Sequence, residues 1–216
     1  AINLTGTASA ADLSAISSKE AVTALRTTLT KGAEAAVGSL GKTDGFLGNP
    51  AARIQLPEFL AQSKGMLKMV GMGGQLDQVE VSMNRAAEAA VPQAQALLVE
   101  SVKKMTVQDA KSILAGPEDS ATQYLNKTSR EQIRAKFLPI VKQATDQVGL
   151  AKQYNSFAGQ AASFGVIDAK SANIENYVTE QALDGLFAMI AEQEASIREN
   201  PAGAATSLAK KVFGAL

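Results

Sequence analysis

The sequence predicts an all-α protein, a single-domain bundle of about eight or nine helices with an ordered glycine-rich loop after the first helix. Apolar residues recur at spacings of three and four in one segment after another, which is the pattern of helices with one buried face. No segment shows the apolar–polar alternation of a strand, and no period repeats along the chain. With 216 residues, the chain is long enough to bury a substantial core as one domain.

The longest helical pattern runs from Leu76 to Met105, and we expect the other helices to pack on it. Its apolar stripe narrows to alanine at Ala86 and Ala90, so another helix can approach closely there. Pro92 lacks a backbone N–H and crowds the carbonyl four residues back. It must therefore kink this helix or begin a second one.

Three polar residues lie just before this proline. Asn84 and Glu88 are four residues apart and share one helix face. Arg85 points about 100° away from Asn84 and reaches Glu88 three residues on. We therefore treat all three as candidate binding residues.

Residues 1–16 are small and polar, and are predicted to form a flexible N-terminal arm before a single helical domain over 17–216. The chain begins at Ala1 without a methionine. That beginning fits a chain whose signal peptide has been removed before Ala1, although a trimmed chain begins in the same way. The expectation is a periplasmic or otherwise exported protein.

The first helix is predicted to begin at Ser17 and to stop at Gly41, because Ser17 and Glu20 have the spacing of a capping box. The connection over 41–56, GKTDGFLGNPAARIQL, is too long for a simple turn. Its apolar residues argue against disorder, so an ordered loop is expected. Pro57 suits the first turn of the next helix.

This loop contains two further candidate binding residues. Asn49 precedes Pro50 and marks a turn. Arg53 is the one charge after Asp44 in the loop, which makes it the first candidate for a ligand or partner contact. The alternative is an arginine that pairs with a nearby carboxylate or carbonyl.

The remaining elements follow the same periodicity. Gly71, Gly73 and Gly74 end the second helix, as a corner or as a hinge. Thr106 with Asp109 is predicted to cap a short helix, and Thr128 with Glu131 is predicted to begin a new helix after a short one over 120–125. Further helices are expected over 150–165 and 179–200, with a last one near the C-terminus.

Two features of these later helices concern packing. Tyr124 is predicted to point inward from the short helix, where it lines a ligand pocket or fills the core, as do Tyr154 and Tyr177. Gly185 lies inside the helix over 179–200, where glycine costs about 1 kcal/mol relative to alanine. We expect a close contact there, with the alanine face of the central helix.

The composition excludes several chemistries. The chain has no histidine and no cysteine, so Ser-His-Asp and Cys-His nucleophiles, zinc sites built on these residues and disulfides are excluded. The net charge is zero, so no global field attracts nucleic acid. No apolar run approaches the roughly 18 residues of a transmembrane segment, which predicts a soluble chain. No motif calls for a cofactor.

Six separated blocks of the sequence together carry a resemblance to a known family. The blocks are GFLGNPAARIQLP (45–57), MNRAAEAAVPQAQALL (83–98), VKKMTVQDAKSILAG (102–116), ATQYL (121–125), KFLPIVKQA (136–144) and ALDGLFAMIAEQEASIRENP (182–201). They resemble the bacterial domain of unknown function 4197 family. The resemblance spans about residues 20–216 and implies an all-helical protein of Gram-negative bacteria, typically made with an export signal. It implies no activity and no catalytic residue.

Catalytic alternatives rest on weak patterns. Ser101 with Lys104 matches the S-x-x-K spacing of serine–lysine enzymes, but about one such match is expected by chance and the partner motifs are absent. Carboxylate pairs such as Glu192 with Glu194 can do acid–base work or hold a divalent cation, although neighbouring acids on a helix diverge into solvent.

The sequence therefore favours a non-enzymatic cell-envelope protein that binds a protein partner or a small apolar ligand. The alternative is an enzyme that uses a carboxylate cluster, with or without a metal in a hydrolysis. Convergence of the polar candidates in a cleft would favour a ligand site or enzyme, whereas scatter into capping roles would leave a binding surface or scaffold. The candidate binding residues are Asn49, Arg53, Asn84, Arg85, Glu88 and Tyr124.

Overall fold

The computed structural model of the chain describes residues 17–147, 173–204 and 207–215, together with Lys152, Tyr154, Asn155, Ala158, Ser163 and Gly165. The predicted arm over 1–16 lies outside these residues, and so does most of the helix predicted over 150–165.

The described residues form eight α-helices and no strand, which confirms the all-α class. No helix among these residues is long and apolar enough to cross a membrane. Short 3₁₀ turns lie at Val91–Gln93 and Pro201–Gly203. The helices are α1 (Ser18–Leu40), α2 (Glu58–Met69), α3 (Gly73–Ala90), α4 (Ala94–Lys103), α5 (Val107–Ala115), α6 (Ser120–Asp146), α7 (Ile174–Glu199) and α8 (Ser207–Gly214).

The described residues divide into two compact units. The first unit contains residues from 17–36, 96–129 and 189–215, and the second contains residues from 37–95 and 130–188. Four helices, α1, α4, α6 and α7, contribute residues to both units. The prediction of one helical domain over 17–216 stays a prediction.

The central helical pattern divides at its proline, as expected. α3 ends at Ala90, Pro92 lies in the 3₁₀ turn, and α4 begins at Ala94. Proline fits this turn because the first residues of a helical turn have no intrahelical acceptor for their N–H groups. The buried face of α3 carries the predicted stripe, which comprises Leu76, Val79, Met83, Ala86 and Ala90.

Two of the three predicted capping boxes are confirmed. Ser17 and Glu20 exchange hydrogen bonds of 3.0 and 3.1 Å, and Thr106 and Asp109 exchange bonds of 2.9 and 3.1 Å. The third is wrong, because α6 runs without a break from Ser120 to Asp146. Thr128 lies inside it and donates its hydroxyl to the Tyr124 carbonyl one turn back, a bond that is available only within a helix.

Candidate functional site

The loop between α1 and α2 follows an irregular path of tight turns. Backbone bonds of 2.9 Å from Gly45 to Lys42 and from Gly48 to Asp44 close the first turns. A Cβ atom at Gly45 would lie only 2.3 Å from the Leu40 carbonyl oxygen, so only glycine fits there. Residues 41–57 are named the clamped loop because helix side chains hold their main chain in place.

Asn84 holds the middle of the clamped loop. Its Oδ1 accepts the N–H of Ile54 at 2.8 Å, and its Nδ2 donates to the Ile54 carbonyl at 2.9 Å. The other Nδ2 hydrogen goes to the Glu80 carbonyl at 2.8 Å. Since Asn84 is fully buried, these three bonds satisfy an amide that would otherwise be costly to bury. The Asn84 side chain thus makes the pair of main-chain hydrogen bonds with Ile54 that a neighbouring β-strand makes in a sheet.

Glu88 holds the start of the clamped loop. Its Oε1 accepts the N–H groups of Phe46 and Leu47 at 3.1 and 3.2 Å, and its Oε2 accepts Arg85 Nη1 at 2.8 Å. Arg85 also donates to Asp44 Oδ1 at 2.8 Å. The hydrogen bond to Glu88, and then the bond to Asp44, raise the pKa of Arg85. One buried carboxylate thus binds two loop amides and a cation.

The two loop candidates have local partners. Arg53 Nε donates to Glu80 Oε1 at 2.8 Å, and Arg53 Nη2 forms an ion pair with the same oxygen at 2.8 Å. Asn49 accepts the Ala51 N–H at 3.0 Å through its side-chain oxygen, which is an Asx turn. In this structure Arg53 therefore pairs with a nearby carboxylate, which is the alternative considered for it from the sequence.

The structure thus brings five of the six candidates together at the clamped loop. The sixth, Tyr124, belongs to the first unit, where its hydroxyl donates to the Ser101 carbonyl at 3.2 Å. Burial raises the pKa of Tyr124. Asn49, Asn84 and Glu88 bind the loop main chain, and Arg85 binds Glu88. Arg53 binds Glu80 on α3, so the convergence of the five residues builds the loop and fixes it to α3 rather than forming an open catalytic cleft.

Sequence reasoning missed Glu80 as a residue of this site, and it considered Tyr177 only as a pocket or core residue. Glu80 shares the four-residue spacing of Asn84 and Glu88, and this spacing is the signal that could have found it. The Tyr177 hydroxyl donates at 2.8 Å to the main-chain carbonyl of Gln55. No local spacing could have indicated this contact, because the two residues are 122 positions apart in the chain.

Gly185 contacts this loop as well. A Cβ at Gly185 would lie 3.0 Å from Phe46 Cε1 and 3.6 Å from Ala52 Cβ. The three atoms nearest to the added Cβ belong to Phe46 and Ala52, so the loop makes the close approach at Gly185. The expected contact with the alanine face of α3 stays a prediction.

A groove of about 570 Å³ opens beside the clamped loop. The loop, α2 and α3 form its walls, and Arg53 with 46% of its side chain exposed lies in one of them. This surface is named the loop groove. Its lining residues are Leu47, Gly48, Pro50, Arg53, Gln55, Leu56, Ala61, Lys64 and Glu80.

The carboxylates proposed for catalysis have other roles. Glu194 is buried in the first unit and accepts the N–H groups of Ala121 and Thr122 at 3.0 and 2.9 Å, where α6 begins. Arg198 pairs with it at 3.1 Å, whereas Glu192 is exposed. Among the described residues, no group of three or more acidic side chains is arranged to hold a metal ion.

These features define an all-helical protein in which helix side chains hold a long ordered loop by its main chain. The chain belongs to the family described as "Protein of unknown function (DUF4197)", whose model matches residues 15–214. The resemblance to this family is therefore confirmed. Comparison with curated proteins and with solved structures finds no match.

Proposed function

We propose that this protein is a non-enzymatic protein of the periplasm that uses the loop groove to bind a protein partner. The proposal rests on the hydrogen bonds that the buried side chains of α3 make to the clamped loop. Asn84 and Glu88 direct their hydrogen-bonding capacity to the main chain of the clamped loop. A loop fixed in this way presents a preformed surface, which lowers the entropy lost on binding.

The exposed residues of α2 support a protein as the ligand. Met66 and Met69 are exposed by 73% and 88% on α2, which also supplies Ala61 and Lys64 to the loop groove, and Val70 directly after α2 is exposed by 67%. Methionine suits binding surfaces because its side chain adapts to different partners. An open groove with charged walls beside exposed apolar residues has the mixed character of protein interfaces.

The enzyme alternative has less support. A general acid or base must reach its substrate and exchange a proton with it. Glu88 already accepts three hydrogen bonds out of about four that a carboxylate can accept, and Glu194 accepts bonds from two amides, a hydroxyl and an arginine. Both carboxylates are buried and most of their acceptor capacity is used, which leaves little for acid–base work.

The periplasmic part is tested by expressing the natural gene with a C-terminal tag in a Gram-negative host. Osmotic shock is expected to release the protein, with its mature N-terminus at or near Ala1. A protein that stays in the cytoplasmic fraction would reject this part of the proposal.

The binding part is tested with a photo-cross-linking amino acid placed in living cells at Pro50 or Ala61, and at exposed Lys136 on α6 as the control. The same partner is expected from the two groove positions and not from Lys136. The purified partner should then bind the Arg53→Ala variant about tenfold more weakly, as expected for the loss of an interface arginine worth over 1 kcal/mol. No cross-link from either groove position would contradict the proposal.

A further inference from the structure

The first unit contains a cavity of about 210 Å³ between α1, α7 and α8. A cavity of about 150 Å³ lined by aliphatic and aromatic side chains holds benzene, so this one has room for roughly eight non-hydrogen atoms. Its walls are mainly apolar, with Leu25 and Leu29 from α1, Ile190 and Ile197 from α7, and Phe213 from α8. The three tyrosines considered as pocket residues are not among its lining residues.

Thr28 gives this cavity a polar feature. It lines the cavity and is 7% exposed, and its Oγ1 is buried without a hydrogen-bond partner. Its neighbour Thr27 donates to the Thr23 carbonyl at 2.9 Å, which is the usual solution for a threonine inside a helix. Buried hydroxyls nearly always have a partner, so Thr28 is an exception that calls for one.

The threonine side chain can offer its hydroxyl to the cavity. Rotation about χ1 by about 120° moves the hydroxyl group to the position that the methyl group occupied, and threonine populates two χ1 rotamers in helices. A ligand in the cavity with a hydrogen-bonding group would therefore give Thr28 the partner that it lacks.

The charges around the cavity favour a neutral ligand. Lys31 and Glu194 are the charged lining residues. Glu194 is engaged by Arg198 and the start of α6, and Lys31 is exposed and paired with Glu34 at 3.3 Å. An ionised ligand group in the apolar interior would lose its hydration without gaining a free partner of opposite charge.

We propose that this cavity binds a small, neutral, apolar molecule of about eight non-hydrogen atoms that carries one hydroxyl group and bonds through it to Thr28. The proposal rests on the first unit alone and does not depend on the loop groove, so either proposal can fail without the other.

Two probes of equal size and shape test it. The probe 4-methylphenol carries the hydroxyl, and para-xylene has a methyl group in its place. The Kd of each is measured by NMR titration, with shifts of the Leu25 and Ile190 methyl signals locating the site. Thr28→Val makes the matching replacement of hydroxyl by methyl in the protein.

The Kd values of the two probes for the unaltered protein and for Thr28→Val form a thermodynamic cycle, in which one step changes the probe and the other changes the protein. Thr28→Val is expected to raise the Kd of 4-methylphenol relative to that of para-xylene by about fivefold, which is within the range of one neutral hydrogen bond. Thr179→Val is the matched control, because Thr179 Oγ1 is also buried without a partner but Thr179 does not line the cavity. It should leave the ratio of the two Kd values unchanged.

A second pair of variants locates binding independently of the hydrogen bond. Gly32 lines the cavity, and Gly38 lies six residues later on α1 with nothing within 4 Å of an added Cβ. Gly32→Leu is expected to abolish binding of both probes, and Gly38→Leu to preserve it. The proposal is overturned if neither probe binds the unaltered protein saturably, if Gly32→Leu binds them normally, or if the cycle shows no coupling.

Discussion

The side-chain amide of Asn84 binds both main-chain polar groups of Ile54, accepting from its N–H at 2.8 Å and donating to its carbonyl at 2.9 Å. Both residues are buried, so water cannot replace either bond. Asn84 on α3 is therefore the side chain that supplies hydrogen bonds to the buried N–H and carbonyl groups of Ile54.

Asn84→Ala is therefore expected to destabilise the protein strongly. It leaves the Ile54 N–H and carbonyl unsatisfied, and each such group costs about 1 to 3 kcal/mol, so a loss of about 2 to 6 kcal/mol is expected. Urea denaturation followed by circular dichroism measures this loss. The control is Asn49→Ala, which removes one Asx-turn bond to Ala51 and should cost less than about 1 kcal/mol. Equal losses from the two variants would contradict the role given to Asn84.

Glu88→Gln tests the second attachment of the loop. The neutral carboxamide cannot form the ion pair with Arg85. Its NH₂ group replaces one carboxylate oxygen, so a donor faces another donor, either Arg85 or the loop amides. Charged hydrogen bonds contribute more than neutral ones, and a loss of about 1 to 3 kcal/mol is expected in the same denaturation experiment.

The matched control for this variant is Glu100→Gln, which breaks the exposed pair with Lys104. Exposed pairs of this spacing contribute about 0.3 to 0.5 kcal/mol. A Glu88→Gln protein as stable as the control would show that Glu88 does not hold the loop.

Two glycines are expected to respond in opposite directions to alanine. Gly45→Ala places a Cβ 2.3 Å from the Leu40 carbonyl oxygen, far inside the van der Waals contact distance, so the turn must change and stability must fall. Gly38→Ala adds a methyl group to an exposed position in α1 where nothing lies within 4 Å. It should stabilise by up to about 1 kcal/mol. Thermal unfolding of both variants checks the pair, and a stabilising Gly45→Ala would refute the loop geometry.

The stability should also depend on pH through Glu180. Desolvation raises the pKa of Glu180, but hydrogen bonds from Arg134 and Arg130 outweigh it, and the pKa is lowered from its ordinary value of 4.5. A carboxyl group with a lowered pKa stabilises the folded protein above its ordinary pKa, and this contribution disappears as the pH falls through the folded value.

Glu180→Gln should therefore reduce stability at pH 7 by about 1 kcal/mol, as expected for a partly exposed ion pair, and should lessen the fall in stability below about pH 4.5. Denaturation at a series of pH values measures both effects. Glu131→Gln is the control, because Glu131 is a more exposed partner of the same Arg134. A Glu180→Gln protein with an unchanged acid profile would contradict the assignment.

The helices were predictable because their signals are local. Periodicity located α1, α3 and α4, and the caps at Ser17 and Thr106 marked helix starts. The same spacing failed at Thr128, because a threonine three residues before a glutamate occurs equally well inside a helix, where the hydroxyl bonds to the preceding turn.

The site was predictable only in part. Its residues could be selected as the polar positions of α3 and of the loop, but their partners could not. The amides that Glu88 accepts lie 41 and 42 residues away, and those that Glu194 accepts lie 72 and 73 residues away. Such pairs depend on how helices pack, which the spacing of one helix does not determine.

Glu80, Asn84 and Glu88 lie four residues apart on α3, a distance of about 6 Å along the axis at each step. The N–H groups of Phe46, Leu47 and Ile54 end on two of these side chains. Their protons can exchange with solvent deuterium only when this helix face separates from the loop. The exchange rates of these three loop amides therefore report the free energy that separates the clamped loop from α3.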